Sequence, residues 1–146
     1  MVKTKHNSNY MKINIPISVG ELLDKLTILE IKSSMIKDVE KLQEVKNERV
    51  ELNKKFADLI NPALGFNFSR ADLCALKADL YQINLGLWKI EDQIRECERN
   101  KDFGAVFIRL ARDVYYTNDE RFNIKNKINQ ITNSDIKEVK SYESYS

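Results

Sequence analysis

Three places in this sequence put polar side chains where a helical stripe calls for apolar ones, and such breaks are where a fold keeps its chemistry. Towards the C-terminus, Thr117, Asn118 and Arg121 interrupt the run Phe103, Phe107, Leu110, Val114, Ile124, Ile128, Ile131. An arginine there offers a planar fork of N–H donors that fits a carboxylate or phosphate. An asparagine beside it can orient the bound group. Nearer the N-terminus, Glu30 falls between Leu26 and Leu23 on a helical wheel, inside the apolar arc. A carboxyl group buried there would have a raised pKa and could serve as an acid or base. Between these two, Arg49 holds a stripe position in Leu42, Val45, Arg49, Leu52, Phe56, Leu59.

Other catalytic inventories are missing. His6 is the only histidine, and the two cysteines, Cys74 and Cys97, are far apart in sequence. That is too few N and S ligands for a zinc site and gives no Ser-His or Cys-His pair. No Gly-rich phosphate loop, dinucleotide fingerprint or HExxH motif occurs. Glu40, Glu44, Glu48 and Glu51 form a carboxylate ladder, but Lys37, Lys41 and Lys55 intersperse it. A solvated charge face is the expectation there, not a cation site. We therefore expect no metal and no cofactor.

Positioning the three polar breaks falls to helices. The chain has 146 residues with 42% apolar, 32% charged, 4 Gly and 2 Pro, a composition of one soluble domain rich in long helices. Ser18 with Glu21 makes a capping box, so a first helix runs from there to about Ile36, its seam Val19, Leu22, Leu26, Leu29, Ser33, Ile36. Asp38 caps a second helix that Pro62 stops near Ile60. Ser69 with Asp72 opens a third over 70–99, whose seam Leu73, Leu76, Leu80, Ile83, Leu87, Ile90, Ile94, Cys97 alternates steps of three and four throughout. Asp102 is the expected cap of a fourth, ending near Thr132. The fold class is all-α: antiparallel helical hairpins forming a bundle with coiled-coil-like packing. Residues 12–16 and 136–140 offer one optional short β pairing of the termini. The expected organisation is a basic, loosely ordered tail over 1–10, a single helical domain over 11–135 and a polar tail over 136–146.

Hairpins turning near residues 38 and 101 carry Glu30 within reach of Arg49, and carry Thr117 and Arg121 opposite Tyr81, Asn84 and Gly86. Glu30, Arg49, Tyr81, Asn84, Thr117, Asn118 and Arg121 are thus the candidate ligand-binding set. They support two readings. One makes them ion pairs that set helix register. The other makes Arg121 and Arg49 anion receptors, with Asn118 and Tyr81 as orienting partners.

Charge narrows the partners. The net charge is +2, and Lys3, Lys5 and Lys12 all lie in an acid-free N-terminal stretch, so the helical body is close to neutral. Nucleic acid, which demands clustered cations, is not an expected partner. No apolar run is long enough for a membrane span. Two cysteines roughly 35 Å apart on one helix cannot pair, which points to a reducing cytoplasm. Trp88, Leu85 and Tyr81 make a second stripe off the third helix's seam. Its burial against a second copy would give a homo-oligomer, and another protein is an alternative partner.

Three stretches carry a resemblance: Ile15–Lys32 (IPISVGELLDKLTILEIK), Leu87–Asp92 (LWKIED) and Tyr116–Arg121 (YTNDER). Over about residues 13–142 the chain resembles an uncharacterised family of short bacterial and viral helical proteins, a domain of unknown function with an IPxSVGELLDKxTILEIK motif. The resemblance implies no activity. It does single out Glu21, Asp24, Lys25, Glu30, Lys32, Asn118, Asp119 and Arg121 as the residues carrying the match. Two functions stay open: a self-associating interaction or adaptor protein without catalysis, and a small all-α enzyme or binding protein for an anionic metabolite or sugar phosphate.

Overall fold

The computed structural model describes residues 10–145, and all of its regular structure is helical. The basic tail expected over 1–10 lies, but for Tyr10, outside the described residues. Helix α1 spans Val19–Met35, α2 Val39–Ile60, α3 Arg70–Arg99 and α4 Ala105–Ile131, with a 3₁₀ turn at Pro62–Leu64.

Local chemistry sets these boundaries. The Ser18 hydroxyl accepts from the Glu21 amide at 3.0 Å, Asp38 from Lys41 at 2.9 Å and Ser69 from Asp72 at 3.1 Å. Each satisfies an amide that a helix start leaves orphaned. Asn61 ends α2, and its side chain accepts from Ala63 in the turn that Pro62 opens. The start of α4 departs from expectation. Lys101 turns into the left-handed region (φ 53°) and the Asp102 amide bonds back to the Cys97 carbonyl at 2.9 Å. Asp102 is thereby committed to the Gly104 amide at 3.1 Å, and the helix begins two residues later, with Gly104 at its cap and no side chain closing it.

The helices make two hairpins packed as a bundle, with α1 in contact with each of the other three. Eight of the 17 residues of α1 are buried (Gly20, Leu22, Leu23, Asp24, Leu26, Thr27, Leu29 and Ile31) whereas α2 buries none. The expected seam of α1 is therefore only part of its contact surface. The core joins Leu22, Leu23 and Leu26 to Leu73 and Leu80 of α3 and Ile128 of α4, with Leu52, Phe56 and Leu59 of α2 leaning on it.

Between α1 and α4 the pairs Val19–Ser134, Gly20–Asn129, Glu21–Lys125 and Asp24–Arg121 descend one helix as they ascend the other, so the two run antiparallel. Gly20 is what lets them approach. A Cβ there would sit 2.6 Å from the Lys125 carbonyl oxygen, inside van der Waals contact. The end of α4 also completes the start of α1. Asn129 Oδ1 accepts from the Gly20 amide at 2.7 Å, and Ser134 Oγ from the Val19 amide at 3.2 Å.

The optional β pairing of the termini is not formed. Residues 12–15 lie along α2, where Lys12 meets Glu51 at 3.0 Å, while residues 136–145 fold back along α4. The two segments are committed to different helices. Among the described residues no strand occurs and no helix is long and apolar enough to cross a membrane.

Candidate functional site

Asp24 is the centre of the polar network that binds α1 to its neighbours. Its carboxylate is only 1% exposed, a position that costs several kcal/mol of lost hydration unless cations and N–H donors replace the water. They do. Arg121 of α4 takes Asp24 with both Nε (2.9 Å to Oδ1) and Nη2, the paired geometry that suits a guanidinium to a carboxylate. Asn84 of α3 donates to the same Oδ1 at 2.9 Å and to Thr27 Oγ1 at 2.9 Å. Thr27 in turn donates to the Asp24 carbonyl at 2.8 Å. One turn of α1 is thus pinned to α3 and α4 together.

Lys125 continues the network. It is 5% exposed, and its ammonium reaches Glu21 at 2.9 Å, Glu138 at 2.7 Å and Asp24 at 3.9 Å. Burial is the largest influence on it and favours the neutral amine. The bonds to Glu138 and Glu21, with the charge of Asp24, outweigh burial and raise its pKa. Arg121 is likewise raised, chiefly by its hydrogen bond to Asp24 and against its own desolvation. Glu21 is spent on Lys125, not on the Ser18 amide as the capping box implies.

The residues singled out from sequence divide among several places. Asn84, Asn118 and Arg121 come together. Arg121 meets Asp24, not Glu30. Glu30 pairs instead with Lys77 of α3 at 2.7 Å, and Tyr81 lines the same outer groove beside them, away from Arg121. Arg49 does not reach Glu30, and its Nε is buried with no hydrogen-bond partner. Thr117 is half-buried on α4. No neighbouring backbone closes on Gly86; a Cβ there would meet open space. Of the motif residues, Glu21 and Asp24 belong to the network, Lys25 flanks Glu21 at 3.8 Å, and Lys32 stands near the end of α1, where its carbonyl accepts from Ile36. Asp119 holds the C-terminal segment through Lys140 and through the Tyr145 hydroxyl, which donates to it at 2.6 Å. The bond from Lys140, then that from Tyr145, lowers the Asp119 pKa, and Asp119 in turn pushes Tyr145 up to about 12.

Sequence reasoning left Lys125, Thr27, Asn129 and Glu138 out of the candidate set. Lys125 was detectable, since it lies one helical turn beyond Arg121 on the same face. Glu138 gave no signal, because nothing local ties a C-terminal segment to a helix thirteen residues back.

Two grooves flank Arg121. One, of about 530 Å³, lies between α1, α3 and α4 and includes Trp88, Asp92, Asn118 and Arg121. The other, of about 430 Å³, lies between α4 and the C-terminal segment and includes Asn118, Arg121, Lys125 and Glu138. Asn118 borders both. Among the described residues no three His, Cys, Asp or Glu side chains gather into a metal-ligand set.

A family model described as a family of unknown function (DUF6165) matches residues 11–145, which take in every helix and the whole Asp24 network. The chain belongs to DUF6165. No curated protein and no solved structure matches it. Within this DUF6165 chain the matched segment also includes the C-terminal residues 136–145 that lie along α4.

Proposed function

We propose that this protein is a non-catalytic interaction protein that self-associates through the outer half of the α3–α4 hairpin. One observation carries the reading. The central core cluster draws on α3 no further than Leu80 and on α4 no earlier than Ile124, and beyond the groove where Ile28 and Ile31 of α1 meet Trp88 and Val114 the hairpin buries only Cys97 and Leu110. On that outer half Phe103, Val106 and Ile108 are 48%, 48% and 56% exposed, and Trp88, Ile90, Ile94 and Phe107 are half-buried.

A second copy of the chain is the partner that fits. Residues 89–113 carry six cations (Lys89, Arg95, Arg99, Lys101, Arg109, Arg112) and six acids (Glu91, Asp92, Glu96, Glu98, Asp102, Asp113). A surface of zero net charge meets its own image without repulsion, as a two-fold interface requires. The Asp24 network belongs to this reading as the clasp that holds the hairpin's base. The free thiols of Cys74 and Cys97 fit a reducing compartment such as the cytoplasm.

Light scattering and sedimentation of the purified protein test it. The expected result is a dimer that Ile108→Glu converts to monomer with an unchanged helical circular-dichroism spectrum. Wild-type protein that stays monomeric at high micromolar concentration would refute it.

A further inference from the structure

The groove between α4 and the C-terminal segment has the charge and the free donors of an anion site. Lys125 is a buried ammonium with three carboxylates around it, and they come from two sources. Glu21 and Asp24 are built into α1. Glu138 arrives on a segment whose neighbours Lys137 and Val139 are exposed, and its own side chain is 43% exposed. Counting only the helices, Arg121, Lys125 and Lys25 face Glu21 and Asp24, an excess of one positive charge. Glu138 brings the count to zero.

Donors remain as well. Asp24 takes Nε and Nη2 of Arg121, which leaves N–H groups of that fork uncommitted. The half-buried Asn118 carboxamide makes no hydrogen bond among the described residues, although it borders the groove. An unpaired amide and a partly committed guanidinium beside a buried ammonium are an arrangement that a carboxylate or phosphate oxygen completes. The volume, about 430 Å³, lies in the range of small-metabolite pockets.

We propose that this groove binds a small molecule carrying a carboxylate or phosphate group, held by Arg121, Lys125 and Asn118. Glu138 is the displaceable counter-ion that occupies Lys125 when the ligand is absent. The Asp24 clasp is retained on binding, because Asp24 bonds the other edge of the Arg121 fork. The site is complete in one chain and does not depend on self-association.

Isothermal titration of the full chain with pyrophosphate and with citrate, against chloride at matched ionic strength, tests the proposal. Glu138→Gln removes the competing carboxylate and keeps the size of the side chain. It is expected to bind at least one of the two anions about tenfold more tightly than wild type, the equivalent of one charge-assisted hydrogen bond no longer displaced. Binding of pyrophosphate alone assigns a phosphate ligand, and binding of citrate alone a carboxylate. Adding Asn118→Ala to Glu138→Gln should take the gain away while leaving the circular-dichroism spectrum unchanged. The proposal is overturned if Glu138→Gln binds neither anion more tightly than wild type, or if the double variant binds as tightly as the single one.

Discussion

The two halves of the α3–α4 hairpin are made of similar residues at similar spacing, and they end in different surroundings. The base, from Leu73 to Asn84 on α3 and from Arg121 to Ile131 on α4, is covered by α1, which supplies Leu22, Leu23 and Leu26 to the core and Asp24 to the polar network. The outer half adds nothing to that core, and α1 borders it at the groove where Ile28 and Ile31 meet Leu87, Trp88 and Val114. Length explains this. At 1.5 Å per residue α3 and α4 extend roughly 45 and 40 Å, while α1, with its 17 residues, extends roughly 25 Å. A heptad-like seam states that a helix will be covered along one side. It does not state whether the cover is the same chain or another one.

The strongest way to break the base without touching the outer half is at Asp24. Asp24→Ala leaves the Arg121 fork without its carboxylate and Asn84 short of an acceptor, while Lys125 keeps Glu21 and Glu138. A loss of about 3–5 kcal/mol is expected from urea unfolding. Asp24→Asn, which keeps shape and loses charge, should fall short of that. If Asp24→Ala costs under 1 kcal/mol, the network is a surface ion pair in energetic terms and the contrast between the halves rests on apolar packing alone. Gly20→Ala strikes the same interface by backbone approach. Its Cβ would press on the Lys125 carbonyl at 2.6 Å, and fixed backbone cannot yield as a flexible side chain would. The expected cost is about 1–3 kcal/mol in the same measurement, although alanine is the better helix former by nearly 1 kcal/mol.

These two residues also mark how far the sequence can be read. The helices were legible nearly to the residue, because Ser18, Asp38, Ser69 and Pro62 act on their immediate neighbours and a 3.6-residue period is local. Arg121 and Asn118 stood out as polar breaks in an apolar stripe, hairpin register placed Asn84 opposite them, and the three do converge. Their carboxylate partner did not stand out. Asp24 was visible only through the family motif, since one seam was traced along α1 where the structure buries several faces. The composition of 22–31 (LLDKLTILEI) held the clue, as a helix apolar on more than one side is an interior helix and any acid on it needs a partner. Which acid meets Arg121, Asp24 or Glu30, depends on how α1 crosses α4, and stripe spacing does not encode crossing. Gly20 was unreadable for the same reason: its neighbour is backbone 105 residues away.

On the outer half the comparison predicts the opposite sign of sensitivity. Val106→Glu and Ile108→Glu place charge on faces already about half exposed, so monomer stability should shift by no more than about 0.5 kcal/mol. Self-association should be lost in both. A variant that unfolds the chain instead would mean that these side chains already have an internal partner, and the division of the hairpin into covered and uncovered halves would fail.

The smallest effect belongs to the C-terminal segment, which lies over α4 where the two halves meet, with Tyr145 packed against Tyr115 and Tyr116. Its anchor is Asp119, whose pKa is lowered in the folded chain first by Lys140 and then by Tyr145. A carboxyl with a depressed folded pKa contributes its stabilisation above the unfolded value, near 4, and loses it as the pH falls through the folded one. Docking of residues 136–145 should therefore hold at neutral pH and weaken below about pH 4. Tyr145 should stay protonated throughout, its pKa being about 12. The side-chain NMR shifts of Tyr145 and Tyr115 report the step directly, and Asp119→Asn should remove it without altering amide protection in α1. A Tyr145 signal that ignores pH, or α1 amides that lose protection in step with it, would show that the segment and the packed base are one cooperative unit and not two.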